Sequence, residues 1–362
     1  METEKWKTLS VAGARRLRKS NGANFLVLDG LTRLSDPVAK VLGGGRGYLH
    51  LNGLEKISPQ AAAYLARGNG ELLLNGLSRL TAETARALAR YEGCLMLDGV
   101  THVADDVAAE LAKFKGTDLT LDGLEKISNK GLIVLATLKI KSLSLGMKSI
   151  SVEQAKILHA FKGGVGLGVS WLSGKVAAIL GRRRGALYLP FLQSLTTDAA
   201  RGLARHRGYM DLNGLERISR ETACQLAAHR GDIGLASVKS LSVKAAAALA
   251  RVKGVIDLSD MEALTPKVAE ELFKSPVRLN LGITRLTDPV AKVISRRKEY
   301  VSLYGIKELT DRQVKILLPK FAAGTLGLHH LAQRKIETAW KKAREDGQWP
   351  FKSNRKRSAN RH

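Results

Sequence analysis

Apolar and polar positions along this chain follow one order many times over: a strand-like alternation, a polar turn, then apolar residues at helical spacing. Four successive copies read FLVLDGLTRLSDPVAKVL (25–42), YLHLNGLEKISPQAAAYLA (48–66), ELLLNGLSRLTAETARALA (71–89) and CLMLDGVTHVADDVAAELA (94–112). With the second Leu of each LxL as origin, thirteen copies start at Leu28, Leu51, Leu74, Leu97, Leu121, Leu145, Leu167, Leu189, Leu212, Leu235, Leu258, Leu281 and Leu303. Leu328 opens an incomplete one, and the steps run from 22 to 25 residues. Such a period predicts a solenoid, in which each unit buries its apolar face only by stacking on its neighbours.

Four columns define the unit. The LxL alternation, as in Leu49-His50-Leu51, predicts a short strand with one face inward. Asp-Gly or Asn-Gly follows at Asp29-Gly30, Asn52-Gly53, Asn75-Gly76, Asp98-Gly99, Asp122-Gly123 and Asn213-Gly214. That pair reads as a turn, with Gly taking dihedrals that other residues resist and the Asx side chain bonding the backbone ahead. Ser or Thr then precedes the helical spacing in twelve of thirteen copies, among them Ser35, Ser58, Thr81, Ser128, Ser219 and Thr310, with Ala104 the exception. This is the place of an N-cap. The last column is Ala with an aliphatic residue three places on: Ala62/Leu65, Ala85/Leu88, Ala108/Leu111, Ala223/Leu226 and Ala246/Leu249. Both fall on one helix face, and the small Ala lets that face lie close to the strands.

The run from Leu28 to Leu42, LDGLTRLSDPVAKVL, resembles the leucine-rich repeat, especially the cysteine-containing class whose units read roughly LSGCxxITDxxLxxL. Ser35-Asp36 matches the TD of that class. Two departures stand out. Leu31, Leu54, Leu77, Val100, Leu124 and Leu215 occupy the position where most such repeats place Asn and this class places Cys, and the units are short, at 22–24 residues. The resemblance covers residues 25–328. It implies an α/β fold, a right-handed solenoid shaped as a horseshoe or arc, with parallel strands on the concave side and helices on the convex side. It implies a binding scaffold and carries over no catalytic residue.

The expected organisation is a capping half-repeat over residues 1–24, the solenoid of about 13 units over 25–328, a capping helix over 329–346 and a basic, disordered tail over 347–362. Residues 8–20 match the second half of a unit, and Ala332, Ile336, Ala339/Trp340 and Ala343 fit one helix face. Cys94 and Cys224 stand at different repeat phases, without disulfide or zinc spacing, which points to a reducing compartment. The start has no apolar signal core, and no apolar run reaches membrane-spanning length. A cytoplasmic protein is expected.

Charge changes the picture. The chain carries 59 Lys+Arg against 33 Asp+Glu, a formal net charge of +26. Bases gather at the helix end and return loop of every unit: Arg182, Arg183, Arg184, Arg205, Arg207, Arg230, Arg251, Lys253, Arg296, Arg297 and Lys298 are the candidates to meet an acidic or polyanionic partner. Helix-end cations complement the helix dipole, at about 0.3–1 kcal/mol each. Dipole complement does not ask for triplets such as Arg182–Arg184, whereas a polyanion would relieve the repulsion within the row. A thinner row follows the turn at Arg33, Lys56, Arg79, Lys126, Arg217 and Arg285. The outward strand positions are mixed rather than basic, and His50, Met96, Tyr188, Asp211 and Asp257 are the candidate contacts of a partner on the concave face. Trp171, Tyr188, Phe191 and Tyr209 fall near the arginine-rich middle, where rings either stack on bases or serve as core and rim.

Other chemistry finds little purchase. The Asp/Asn ladder precedes Gly at turns and lacks the nonapeptide repeats of a calcium-binding β-helix. His329-His330 has no Cys or carboxylate neighbours for a metal, and GGGRG at 43–47 lacks the Gly-Lys-Ser/Thr of a phosphate loop. No nucleophile–base pair stands apart from the repeat, so no enzyme, cofactor or metal is expected. The expected function is a non-catalytic scaffold for an acidic protein partner; the alternative is sequence-nonspecific RNA or DNA binding through the basic row and the tail.

Overall fold

A computed structural model describes residues 6–20, 25–276 and 278–346. Each copy of the repeat folds as a short strand, a turn and a helix of about two turns, most often seven residues. Helices this short do not persist alone in water, so packing and capping hold them. The chain forms two compact units, Met1–Asp211 and Leu212–His362.

In the first unit the strands Phe25–Val27, Tyr48–His50, Glu71–Leu73, Cys94–Met96, Asp118–Leu121, Ser142–Leu145, Gly164–Leu167, Leu187–Tyr188 and Met210–Asp211 pair in chain order, all parallel. The register keeps each column intact: Phe25 pairs Tyr48, Tyr48 pairs Glu71, and Glu71 pairs Cys94. In the second unit Ile233–Gly234, Ile256–Leu258, Leu279–Leu281, Val301–Leu303 and Leu326–Leu328 do the same. Within each unit consecutive helices pack side by side behind their strands.

The core is built from the columns. Leu51, Leu74, Leu97 and Leu121 at the origins are wholly buried, as are Leu54, Leu77, Val100 and Leu124 past the turn. Ala62, Ala85, Ala108, Ala223 and Ala246 are equally inaccessible, which makes them the helix–strand contact. Ser58, Ser128 and Thr81 cap their helices by accepting the N–H of Ala61, Gly131 and Thr84 at 2.9, 2.9 and 3.2 Å. Each such cap contributes about 0.5–2 kcal/mol. Ser35 and Thr287 hold extended N-cap dihedrals without a cap hydrogen bond. Both precede Asp-Pro, where the ring removes one N–H and the Asp supplies negative charge to the helix start. Ala104 makes no cap bond either, and Val107 N–H turns to Asp106 Oδ1 at 2.8 Å.

The Asx-Gly column differs from its reading as a self-contained turn. The Asx oxygens reach the next repeat. Asp29 Oδ1 accepts the N–H of Asn52 at 2.9 Å, Asn52 that of Asn75 at 3.1 Å, Asn75 that of Asp98 at 3.0 Å and Asp98 that of Asp122 at 3.0 Å. In the second unit Asn213 Oδ1 accepts from Ala236 at 2.8 Å. Five of the six Asx side chains thus satisfy a backbone donor of the next repeat, while Asp122 accepts the Ser144 hydroxyl instead. Nor is the glycine there for a left-handed φ, which among the described glycines only Gly44 and Gly324 adopt. A Cβ at Gly76 or Gly99 would lie 2.2 Å from Asn52 O or 2.0 Å from Asn75 O, so stacking distance excludes a side chain.

Helix Val11–Ser20 buries Ala14 and Leu17, and Arg18 beyond them donates to the carbonyls of Val41, Leu42 and Gly43. Helix His330–Glu345 buries Ala332 and Ile336, with Ala339, Trp340 and Ala343 half-buried on the same side. The tail expected over 347–362 lies outside the described residues, as do 1–5 and 21–24.

Candidate functional site

Two surfaces stand apart from the packing. The first is the outward side of the strands. In the first unit it begins with Phe25, 54% exposed, and Tyr48, 46% exposed, with ring centroids 5.6 Å apart. His50 lies edge-on to Phe25 at 5.4 Å, and Val27, Leu73 and Met96 continue the patch half-buried. Carboxylates line the same side at Glu71, Asp98, Asp118 and Asp122, several held by hydroxyls of the next repeat: Thr120 donates to Asp98 at 2.6 Å and Ser142 to Asp118 at 2.7 Å. The next strand positions are uncharged, Ser142, Ser144, Gly164, Gly166, Ala186, Tyr188 and Tyr209, until Asp211. Asp232, Asp257 and Asn280 face outward in the second unit, with Arg278 beside them. His50, Met96, Tyr188, Asp211 and Asp257 all sit on this side and all are half-buried.

The second surface is the return loop after each helix. Here the residues alternate. Two and four places past the helix-face aliphatic residue of the Ala/aliphatic pair (Leu180, Leu203, Leu226, Leu249 or Ile294), side chains are exposed: Arg182 and Arg184, Arg205 and Arg207, Arg251 and Lys253, Arg296 and Lys298, with Arg230 at the same phase. Three places past it the side chain turns inward. That inner column runs Tyr91, Phe114, Leu138, Phe161, Arg183 and His206 in the first unit and His229, Val252, Ser275, Arg297 and Lys320 in the second.

Arg183 and Arg297 therefore leave the set of candidate anion contacts. Arg183 is 2% exposed; its Nη1 donates to Leu158 O and its Nη2 to Gly163 O at 2.6 Å. Arg297, 7% exposed, donates from Nη1 to Phe273 O at 3.4 Å. Their guanidinium carbons lie 5.9 and 5.4 Å from the Phe161 and Phe273 ring centroids. Burial pushes Arg183 down to about 10. Both arginines close helix ends of the preceding copy, whose last carbonyls have no helical partner. Lys320 does the same with Arg297 O and Glu299 O at 2.7 and 2.8 Å, and burial, with Arg297 nearby, pushes its amine down to about 8. A triplet of bases reads as one patch in sequence; only its period-2 alternation separates anchor from surface.

The remaining reactive groups are held quiet. Cys94 is half-buried, and burial with the neighbouring carboxylates raises its thiol to about 11, so it is not a thiolate nucleophile near neutral pH. Cys94 and Cys224 are both unbridged. His329 Nδ1 accepts the N–H of Leu331 at 3.3 Å, an N-cap role. Among the described residues no group of three His, Cys, Asp or Glu side chains is placed to hold a metal, and no helix is long and apolar enough to cross a membrane.

No family model matches the chain, and no curated protein matches it. Solved structures similar to it include an internalin, inlF, from Listeria monocytogenes, at 14% identity over 92% of each chain with a TM-score of 0.45. A leucine-rich-repeat protein of Leptospira interrogans shares 16% identity over 89% of this chain and 98% of its own, with a TM-score of 0.37. TLR13, in its complex with ssRNA13, shares 16% identity over 75% of this chain and 41% of its own, with a TM-score of 0.45. Each copy supplies one strand to a parallel ladder and one helix behind it, the arrangement that the leucine-rich-repeat resemblance implies.

Proposed function

We propose that this chain is a non-catalytic scaffold that binds a protein partner on the strand side of its first four complete repeats. The observation that carries this is the run of Phe25, Val27, Tyr48, His50, Leu73 and Met96 on adjacent strands. Single exposed apolar residues are ordinary; a contiguous set with two rings about half exposed is the mark of an interaction surface. The pairing register holds these side chains in place before binding, which lowers the ordering cost of association.

In the first unit the charged strand-side positions are carboxylates, and most exposed charges of the return loops are basic. An acidic partner anchored on the apolar patch is drawn to the loop row at Arg67, Arg90 and Lys113 rather than to the strand carboxylates. The unbridged cysteines fit a cytoplasmic setting.

Pull-down from nuclease-treated native extract tests this with the intact chain and the double variant Tyr48→Ser/Leu73→Ser. The expected result is a protein retained by the parent and lost by the variant, with unchanged thermal unfolding. A retained set identical for both would overturn the placement.

A further inference from the structure

A different part of the first unit fits a different ligand. We infer that the loop row and strand side over residues 139–209 bind single-stranded nucleic acid, with phosphates on the exposed bases and nucleobases on Tyr188 and Tyr209.

Three observations converge. The exposed cations form a row in step with the strands: Lys139, Lys162, Arg184 and Arg207 occupy the same return-loop position in four consecutive copies, one cation per strand spacing of about 4.8 Å. The residues between them are anchors. Arg183, between Arg182 and Arg184, is tied to two carbonyls of the preceding copy, and buried His206, between Arg205 and Arg207, places its Nε2 3.3 Å from Tyr209 O. The exposed guanidinium groups therefore leave a fixed backbone rather than a mobile loop, which cuts the entropy lost on binding a charged chain.

Where the bases are densest, the strand side carries no carboxylate. From Ser142 to Tyr209 its outward positions are hydroxyl, glycine, alanine and tyrosine, whereas Asp118 and Asp122 lie before this window and Asp211 after it. A phosphate chain laid along the row meets no carboxylate on the strand side of this window.

The window also offers rings on a bare floor. Tyr188 and Tyr209 have centroids 5.7 Å apart at 58°, and Tyr209 is 38% exposed. A Cβ at Gly164 would lie 3.0 Å from Tyr188 Cε2, so the ring leans over a strand whose outward positions, Gly164 and Gly166, carry no side chains. Rings beside a regular row of cations are what single strands use: stacking on the rings without base selection, and phosphates along the groove. A phosphate chain carries its charges at a fixed period, which an acidic protein segment does not.

Fluorescence anisotropy of the full chain with labelled mixed-sequence 20-mers, RNA and DNA, single- and double-stranded, tests the inference across salt concentrations. Single strands of either kind should bind more tightly than duplex. Arg182→Gln/Arg184→Gln/Arg205→Gln/Arg207→Gln should lower the slope of log affinity against log salt by about 3, taking roughly 0.7 per phosphate contact. Tyr188→Ala/Tyr209→Ala should weaken binding about tenfold or more with the slope unchanged. Neither set should alter thermal unfolding, and Tyr48→Ser/Leu73→Ser should bind RNA as the parent does, which separates this surface from the protein site. Absence of binding at about 50 mM salt, equal competition by polyglutamate, or full binding by the four-arginine variant would overturn it. A requirement for the tail instead, seen as loss on removing 352–362, would overturn it as well.

Discussion

Replacing Arg182 and Arg183 one at a time separates two adjacent arginines that composition treats alike. Arg183→Met keeps the length and apolar stem of the side chain but removes both donors. Leu158 O and Gly163 O would each lose a partner at a site only 2% exposed. Leu158 O keeps the N–H of Phe161 at 3.2 Å, so Gly163 O alone is left without a partner, at about 1–3 kcal/mol. Part is offset, because burial alone already disfavours this cation, as its lowered value shows. The net loss is then about 1–2 kcal/mol. Arg182→Met changes an exposed helix-end side chain and should stay within about 0.5 kcal/mol. Urea unfolding followed by circular dichroism reads both, since the midpoint shifts while the slope holds if only stability changes. Equal midpoints for the two variants would refute the inner column as an anchor, and so would a larger loss at Arg182.

Three further outcomes test the fold. Thr81→Ala removes a cap bond and should cost about 1 kcal/mol, whereas Thr287→Ala, where no cap bond exists, should cost a few tenths; equal losses would contradict the cap geometry. Gly99→Ala puts a Cβ 2.0 Å from Asn75 O and should cost at least about 1–3 kcal/mol, seen as a lower thermal midpoint; an unchanged midpoint would show that the repeats do not stack so closely. Lys320 sits at about 8 when folded, below its unfolded value, so between these the unfolded chain holds more protons and stability rises with pH. The parent should therefore gain on Lys320→Met between pH 8 and about 10, and a falling difference would contradict that burial.

Most of the fold was legible in the sequence because the repeat samples each position many times. Thirteen chances to see Leu at the origin and Ala at the helix face leave no doubt about which side of each element is inside. The Ser/Thr column was legible for the same reason, and its two silent members betray themselves only by the Asp-Pro that follows. What the sequence did not show is where a side chain reaches across repeats. Asp29 bonding Asn52 is a contact between copies, and a turn reading within one copy satisfies the same residues. The loop row failed similarly: Arg183 and Arg184 are chemically identical, and only the column through Tyr91, Phe114 and Phe161 marks the first as inward. That column was the available signal. It was hidden because its residues change from aromatic to cationic along the chain.

The central claim is that the strand side of the early repeats is the contact surface. Hydroxyl-radical footprinting of the intact chain, alone and in nuclease-treated native extract, tests it most directly, since aromatic and sulfur side chains report their own exposure. Phe25, Tyr48 and Met96 should be protected on binding, with exposed Ile133 on helix Asn129–Leu135 unchanged. Protection of Ile133 with Phe25, Tyr48 and Met96 as reactive as in the free chain would place the partner on the helices and contradict it.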